Sequence, residues 1–492
     1  MHAPTTEPPA RRKGPKQHNL TEGPILKTLA LFALPTLGSS VLQSLNGSIN
    51  AVWVGRFLGE GALAATSNAN LLMFLLMSFV FGFGMAATIL IGQAFGRKDV
   101  EGARRVMGTA IGSFTLAAVA IAVLGWIFAP QLLQLLATPE AARPLALSYL
   151  RVIFLSMPGG LMLVMLMMTL RGSGDSITPL YFMIISAVLD SGLNPFFIAG
   201  IGPFPKLGIA GAATATVIAN TTALLALVAY IYIRDLPLRL RGAELSFLKP
   251  DPALLKTIVA KGLPMGMQMI VVSASGLALL GLVNRQGIDT AAAYGVAMQL
   301  WTYIQMPAMA VGAAVSAMAA QNIGAGKWDR VGRITQSGIV ATLVVTGVMV
   351  GLLVVADRPA LELFLGSASP ALPIARHIQL LATWSFLLFG VTMVLFATVR
   401  ANGAVVAPLI ILAIGLIPVR LGFAYLAHPV LGADALWLSY PVSTLVNLGL
   451  AIAYYKRGTW KSAHMEEEPD EDECIEGANA ATEPGGRLMP TG

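Results

Sequence analysis

Cysteine occurs once in 492 residues, at Cys474, which excludes a disulfide framework within the chain and any thiolate metal cluster. Histidine occurs five times, at His2, His18, His377, His428 and His464, and no two have metal-ligand spacing. No metal or cofactor is expected. Charge is scarce: Asp, Glu, Lys and Arg make up 12% of the chain, where a soluble domain has about a quarter. No loop carries a nucleophile, base and oxyanion set, so the chain does not read as an enzyme. Residues 1–24 are polar, Pro-rich and basic, and the first apolar run is long and continues as a span, so a cleavable signal peptide is not expected.

Apolar residues fill the space that charge leaves. They make up 56% of the chain, and the mean hydropathy is +0.72. Long apolar runs fall near 27–55, 62–91, 106–128, 145–170, 177–200, 208–233, 254–284, 291–320, 334–356, 373–399, 404–427 and 432–455. Each is long enough to cross a hydrocarbon core of ~30 Å as a helix. The sequence therefore predicts an all-α membrane protein of twelve transmembrane helices.

The net charge of +7 sits in short loops between spans, a pattern of membrane orientation rather than nucleic-acid binding. One side receives Arg97, Lys98, Arg104, Arg105, Arg171, the basic 234–261 connection, Lys327, Arg330, Arg333, Arg400, Lys456, Arg457 and Lys461. The other receives only Arg56, Arg143, Lys206, Arg285, Arg358 and Arg376. Both termini are expected in the cytoplasm of a multi-pass protein of the inner (plasma) membrane. Residues 1–24 then form a basic tail against anionic lipid. Residues 458–492, with the acidic run Glu466 to Glu473, form a second, disordered tail.

The 234–261 stretch interrupts the hydropathy with Pro237, Pro250 and Pro252, and its centre, 237–253, reads as a linker between lobes at 25–236 and 254–457. The two lobes repeat. Leu34-Pro35 is answered by Leu263-Pro264, Gln93 and Gly96 by Gln321 and Gly324, and Arg171 with Gly174 by Arg400 with Gly403. An offset held at 228 to 229 residues in three places is a duplication. Six spans per copy give both lobes the same orientation, related by a pseudo-two-fold axis along the membrane normal. That arrangement places a substrate site between them near mid-membrane.

Within this apolar background, Asp190 and Asn194 in YFMIISAVLDSGLNP share one helix face. Asp190 lies about 20 Å from Ile177 along a helix, deep in the core, where a carboxylate is by default functional. Two readings stay open. Asp190 is a coupling acid, or it forms an ion pair with Arg420, which lies about as deep in span eleven. Arg420 is otherwise an anchor on backbone carbonyls of its own lobe. Pro35 in span one is a candidate kink, and Pro264, Pro307, Pro418 and Pro441 interrupt other spans. Tyr294, Gln299, Trp301 and Tyr303 are candidates for a cavity wall that meets cations through ring faces, or for an interfacial belt. The methionines, Met298 and Met306 among them, suit either a promiscuous binding surface or plain packing.

The segments MPAMAVGAAVSAMAAQNIGAGKWDRVGR and IGQAFGRKDVEGARR resemble matching motifs of the multidrug and toxic compound extrusion (MATE) family. LPTLGSSVLQSLNGSINAVWVGRFLG resembles the family's first span, and GIGPFPKLGIAGAATAT its connection between spans five and six. The likeness covers about residues 25–457. It implies a polyspecific exporter of cationic or amphipathic organic compounds, driven by inward proton or sodium flow. It also implies an ion site at Asn50, Asp190, Asn194 and Thr216. The family often has an acid where Asn50 stands, so one carboxylate remains where two are usual, and protons are expected over sodium. Residues 262–284 and 373–399 contain no Asp or Glu, unlike the branch that places acids there. The expectation is thus a proton-coupled antiporter working by rocking alternating access, acting as a monomer. A sodium-coupled exporter, a lipid-linked oligosaccharide flippase and a passive channel are the alternatives.

Overall fold

The computed structural model describes residues 20–58, 60–135, 140 and 143–465, with the main chain alone for 60–72 and 135. The basic residues of 1–19 and the acidic run 466–473 lie outside the described residues. The first lobe consists of α1 (Ile25–Leu58), α2 (Glu60–Gly96), α3 (Val100–Leu135), α4 (Arg143–Gly172), α5 (Ile177–Ala199) and α6 (Ile209–Ile233). The second begins with α7 (Pro252–Asn284), α8 (Ile288–Gly324) and α9 (Trp328–Val355). It continues through α10 (Asp357–Leu365), α11 (Ala371–Ala382), α12 (Ser385–Arg400), α13 (Val406–Ile414), α14 (Arg420–Leu426), α15 (His428–Leu431) and α16 (Asp434–Arg457). Among the described residues, the helices long and apolar enough to cross a bilayer number eleven, or twelve with α11 and α12 taken as one span bent by 46°.

Hydrocarbon offers no hydrogen bonds, so each span must satisfy its own backbone, and helices do so. The sides of the helices sort by chemistry. In α9, Val340, Val344, Val348, Leu352 and Val355 form an exposed stripe, while Thr335, Gly338, Thr342 and Thr346 are buried. This is the reverse of a soluble helix: the large apolar side chains face lipid and the small ones face protein. Buried hydroxyls bond back to their own helix, as Thr36 does to the Phe32 carbonyl (3.0 Å) and Thr335 to that of Val331 (3.0 Å).

The prolines of α1, α7, α8 and α16 lie inside helices that continue through them, Pro35 included. Span eleven differs. Between α13 and α14 the chain makes a π-helical turn, Gly415–Val419, that contains Pro418. Pro418 brings no N–H and cannot continue the α pattern, and the wider turn absorbs the mismatch. Ser275 of α7 donates to the Leu416 carbonyl inside that turn (2.9 Å). Span ten, expected as one helix over 373–399, is broken at Thr383-Trp384.

The connection between lobes is ordered and docked. Its 3₁₀ turn, Gly242–Leu248, lies against α3, where Gly108 and Gly112 leave room for it. A Cβ on Gly112 would stand 1.9 Å from the Leu248 carbonyl oxygen. Arg104 of α3 donates to the Pro237 carbonyl (2.7 Å) and pairs with Glu244 (2.6 Å). Asp251 then caps α7, accepting from the Ala253 N–H at 3.0 Å with Pro252 at the first helical position.

The end of the bundle where the described residues begin and end, at Leu20 and Met465, is closed by a repeated arrangement. Gln93 Nε2 of α2 donates across to the Ala401 carbonyl (2.7 Å), and Gln321 Nε2 of α8 donates back to the Gly172 carbonyl (3.1 Å). Gly96 and Gly324 let the backbones meet there. A Cβ on Gly96 would lie 2.0 Å from the Gln321 carbonyl oxygen, and one on Gly324 would lie 2.0 Å from that of Gln93. Gly174 and Gly403, one repeat apart, share a left-handed φ of 94° and 95°. The last residues of the expected N-terminal tail dock here too. Leu20 is fully buried and its carbonyl accepts from Asn322 (3.0 Å), while Arg330 holds the Glu22 and Gly23 carbonyls at 2.9 Å. After α16, residues 460–463 return to Asn402, whose amide donates to the Trp460, Lys461 and Ala463 carbonyls.

Candidate functional site

Two cavities open in the membrane-spanning region, one in each lobe. The first, about 310 Å³, lies among α1, α2, α4, α5 and α6, and Asp190 is its one charged lining residue among the described residues. Asp190 and Asn194 stand one turn apart on α5 and are buried, at 1% and 0% exposure. A carboxylate at that depth requires donors, and four side chains supply them. Asn46 Nδ2 (2.7 Å) and Asn50 Nδ2 (2.9 Å), both from α1, donate to Oδ2. Thr216 Oγ1 of α6 (2.9 Å) and Asn194 Nδ2 (3.3 Å) donate to Oδ1. The four residues expected together from the sequence and the resemblance, Asn50, Asp190, Asn194 and Thr216, are brought together.

The remaining amide oxygens are nearly all in use. Asn50 Oδ1 accepts from Asn194 Nδ2 (2.6 Å), and Asn46 Oδ1 accepts from Ser191 Oγ (3.0 Å). Asn194 Oδ1 is the exception, a buried acceptor with no partner among the described residues. Sequence reasoning missed Asn46, although it lies four residues before Asn50 and hence on the same face of an apolar helix. It also missed Ser191, and Tyr149 and Asn220 in the cavity wall. No group of three or more His, Cys, Asp or Glu side chains suited to a metal ion occurs among the described residues.

The second cavity, about 560 Å³, lies in the other lobe against Phe74 of α2, and Arg420 is its one charged lining residue among the described residues. The π turn ends immediately before Arg420 and so sets its direction. Its Nε donates to Ser443 Oγ (3.1 Å) and its guanidinium lies 4.3 Å over the Tyr440 ring. Arg420 and Asp190 thus line separate cavities, and no ion pair joins them among the described residues. Nor does Arg420 hold backbone carbonyls: its partners are a hydroxyl and an aromatic face.

Of the other expected wall residues, Met298 and Trp301 line this cavity, while Tyr294, Gln299 and Met306 do not. Tyr294 is fully buried, its hydroxyl 2.6 Å from that of Tyr440. Gln299 donates instead to Tyr303 (3.0 Å), one turn along α8. Met306 is half-buried, one residue past the lining residue Gln305. Helical phase turns Gln299 and Met306 away from the face of Met298, Trp301 and Gln305, whereas Tyr294 shares that face and is packed beyond the cavity against Trp301 and Tyr440.

Comparison with known proteins agrees with this duplicated architecture. The MatE family model matches residues 35–196 and again 264–426, once in each lobe. The chain is 39% identical over 443 residues to the probable multidrug resistance protein YoeA of Bacillus subtilis (strain 168), covering 90% of this chain and 95% of that protein. It is 25% identical over 442 residues to a FAD transporter of Shewanella oneidensis, covering 89% and 96%. Its fold superposes on a crystal structure of MATE in the bent conformation with a TM-score of 0.83 at 20% identity, over 91% of this chain and 98% of that one. The chain belongs to the MatE family, the multidrug and toxic compound extrusion proteins.

Proposed function

We propose that this protein exports cationic or amphipathic organic compounds in exchange for protons, with Asp190 as the coupling acid. The observation that carries the reading is the donor pattern around Asp190. Four N–H and O–H groups aim at its two oxygens. A proton arriving on Oδ2 turns an acceptor into a donor facing two amide N–H groups. At least one α1 amide then loses its acceptor, and the tie between α1 and α5 weakens. Hydrogen bonds to a charged group contribute about 1.5–3 kcal/mol each. Two of them approach the ~5.5 kcal/mol that turns a 1:99 equilibrium into 99:1.

The same pattern favours a proton over sodium. A bare cation needs oxygens, and the amide oxygens of Asn46 and Asn50 are already accepting hydrogen bonds. Asn194 Oδ1 is a ready acceptor for the O–H of a protonated Asp190. The repeated closure at Gln93 and Gln321 supports alternating access, because the two lobes must separate there for that end to open. A flippase that holds a pyrophosphate needs several cations in its cavity, and Arg420 alone is available among the described lining residues.

The test is ethidium transport in reconstituted vesicles under separately imposed proton and sodium gradients. The wild type should respond to the proton gradient alone and release protons on adding ethidium, and Asp190→Asn should abolish that release. Coupling retained in Asp190→Asn removes this residue from the mechanism. Transport driven by sodium alone replaces the proton.

A further inference from the structure

We propose that the cavity of the second lobe is a binding site for an amphipathic aromatic anion, distinct from the site at Asp190. The two cavities have opposite polarity: among the described residues one is lined by a single acid, the other by a single guanidinium. Arg420 is held rather than neutralised. Its Nε is occupied by Ser443 and its plane rests on Tyr440, and its two terminal amino groups have no hydrogen-bonding partner among the described residues. A guanidinium fixed through Nε and one face still presents a fork that matches the two oxygens of a carboxylate, sulfonate or phosphate. Arg420 is half-buried with no carboxylate beside it among the described residues, and removing such a cation partly from water is costly, so an anionic occupant gains what the protein leaves unmet.

The rest of the cavity suits an aromatic body on that anion. Trp301 lies 5.3 Å from Phe386 and 4.9 Å from Tyr440 between ring centroids, a continuous aromatic wall beside the guanidinium. Asn447 is also in the lining, its Oδ1 buried against Gly415 and without a hydrogen-bond partner among the described residues. A volume of about 560 Å³ lies within the range that takes one drug-sized molecule. This inference does not depend on which ion drives transport, and its test reads binding, so either reading can fail alone.

The probes are riboflavin 5′-phosphate and riboflavin, which share a ring system and differ by one phosphate. Each is titrated against the full chain in nanodiscs of zwitterionic lipid. The phosphate form should bind at least tenfold more tightly. Arg420→Gln should reduce it to the level of riboflavin, and Arg420→Lys should keep part of the preference. Gly276 lines the cavity, and a Cβ there meets nothing within 4 Å, so Gly276→Phe should fill the space and block both probes.

Equal binding of the two probes by the wild type, or binding of neither, overturns the proposal whether or not the Arg420 variants fold. So does a phosphate preference that survives Arg420→Gln, or binding that survives Gly276→Phe. Phosphatidylglycerol in the disc separates a soluble anion from a lipid headgroup. Unchanged riboflavin 5′-phosphate binding supports the soluble occupant, and its displacement assigns the cavity to lipid phosphate instead.

Discussion

Asn46 and Asn50 send their amide N–H groups to the same oxygen of Asp190, so neither is a spare part. Replacing Asn50 by Leu also strips Asn194 Nδ2 of its shortest acceptor. An unmet buried polar group costs about 1–3 kcal/mol, and Asn50→Leu should slow proton-driven ethidium efflux at least tenfold. Asn46→Ala should slow it to a similar degree, and efflux at wild-type rate would take Asn46 out of the site. Asp190 was legible because acids are rare and expensive in lipid, and Asn194 because it lies one helical turn away. Asn46 carried the same signal relative to Asn50, but an amide is cheaper to bury than a charge and drew less notice. The partner of Arg420 could not be read. Depth along a span is encoded in sequence, whereas the lobe interior a side chain points into depends on how helices pack.

Spans ten and eleven show what the pattern of elements conveys and what it hides. Hydropathy located both, yet no glycine or proline marks the 46° break at Thr383-Trp384. There Trp301 Nε1 donates to Gln379 Oε1 (3.0 Å) and lies 2.9 Å from Thr383 Oγ1. That network joins Trp301, Gln379 and Thr383 where the helix pauses, and it forms only once α8 is alongside. Pro418 did announce an irregularity, and its form is the π turn. Gly415 is required in that turn because a Cβ there would fall 1.9 Å from Asn447 Oδ1. Gly415→Ala should therefore destabilise by about 1–3 kcal/mol, seen as a lower thermal midpoint. Adding Asn447→Ala should recover most of the loss, since the two changes share one contact.

The interlobe connection makes a separate prediction, about pH. The side-chain hydrogen bond from Arg241 holds the Asp235 carboxyl below its usual range. Glu244 is also lowered: partial burial pushes it up, but the Arg241 N–H and Arg104 outweigh that. A depressed carboxylate stabilises the fold above its unfolded pKa, and the contribution is lost as pH falls through the folded value. Docking of residues 234–248 should thus hold at neutral pH and loosen below about pH 4. Hydrogen exchange of that segment should accelerate there, and Glu244→Gln should show the faster exchange already at neutral pH.

For the molecule as a whole, duplication was the most legible feature, because the motif offset survives in residues that repay it structurally. Gln93 and Gln321, with Gly96 and Gly324, were recognisable as a repeat before any contact was known. That they reach across to each other's lobe was not, since a repeat gives correspondence and not adjacency. Each such hydrogen bond contributes about 0.5–1.5 kcal/mol, so Gln93→Ala with Gln321→Ala should shift the closed population roughly five- to hundredfold. Maleimide labelling of Ser173→Cys, in a Cys474→Ser background, should speed up accordingly. Gly96→Ala should act in the same direction, because a backbone carbonyl cannot step aside for the new methyl.

The first helix is tied down at two distant places. Near its start, Leu20 to Gly23 are fastened to Asn322 and Arg330 of the second lobe, while Asn46 and Asn50 hold the acid of the first. From Ile25, where the helix begins, to Asn46 is roughly 32 Å along one continuous helix. One helix thus joins the surroundings of Asp190 to the second lobe directly, without any relay of intermediate side chains.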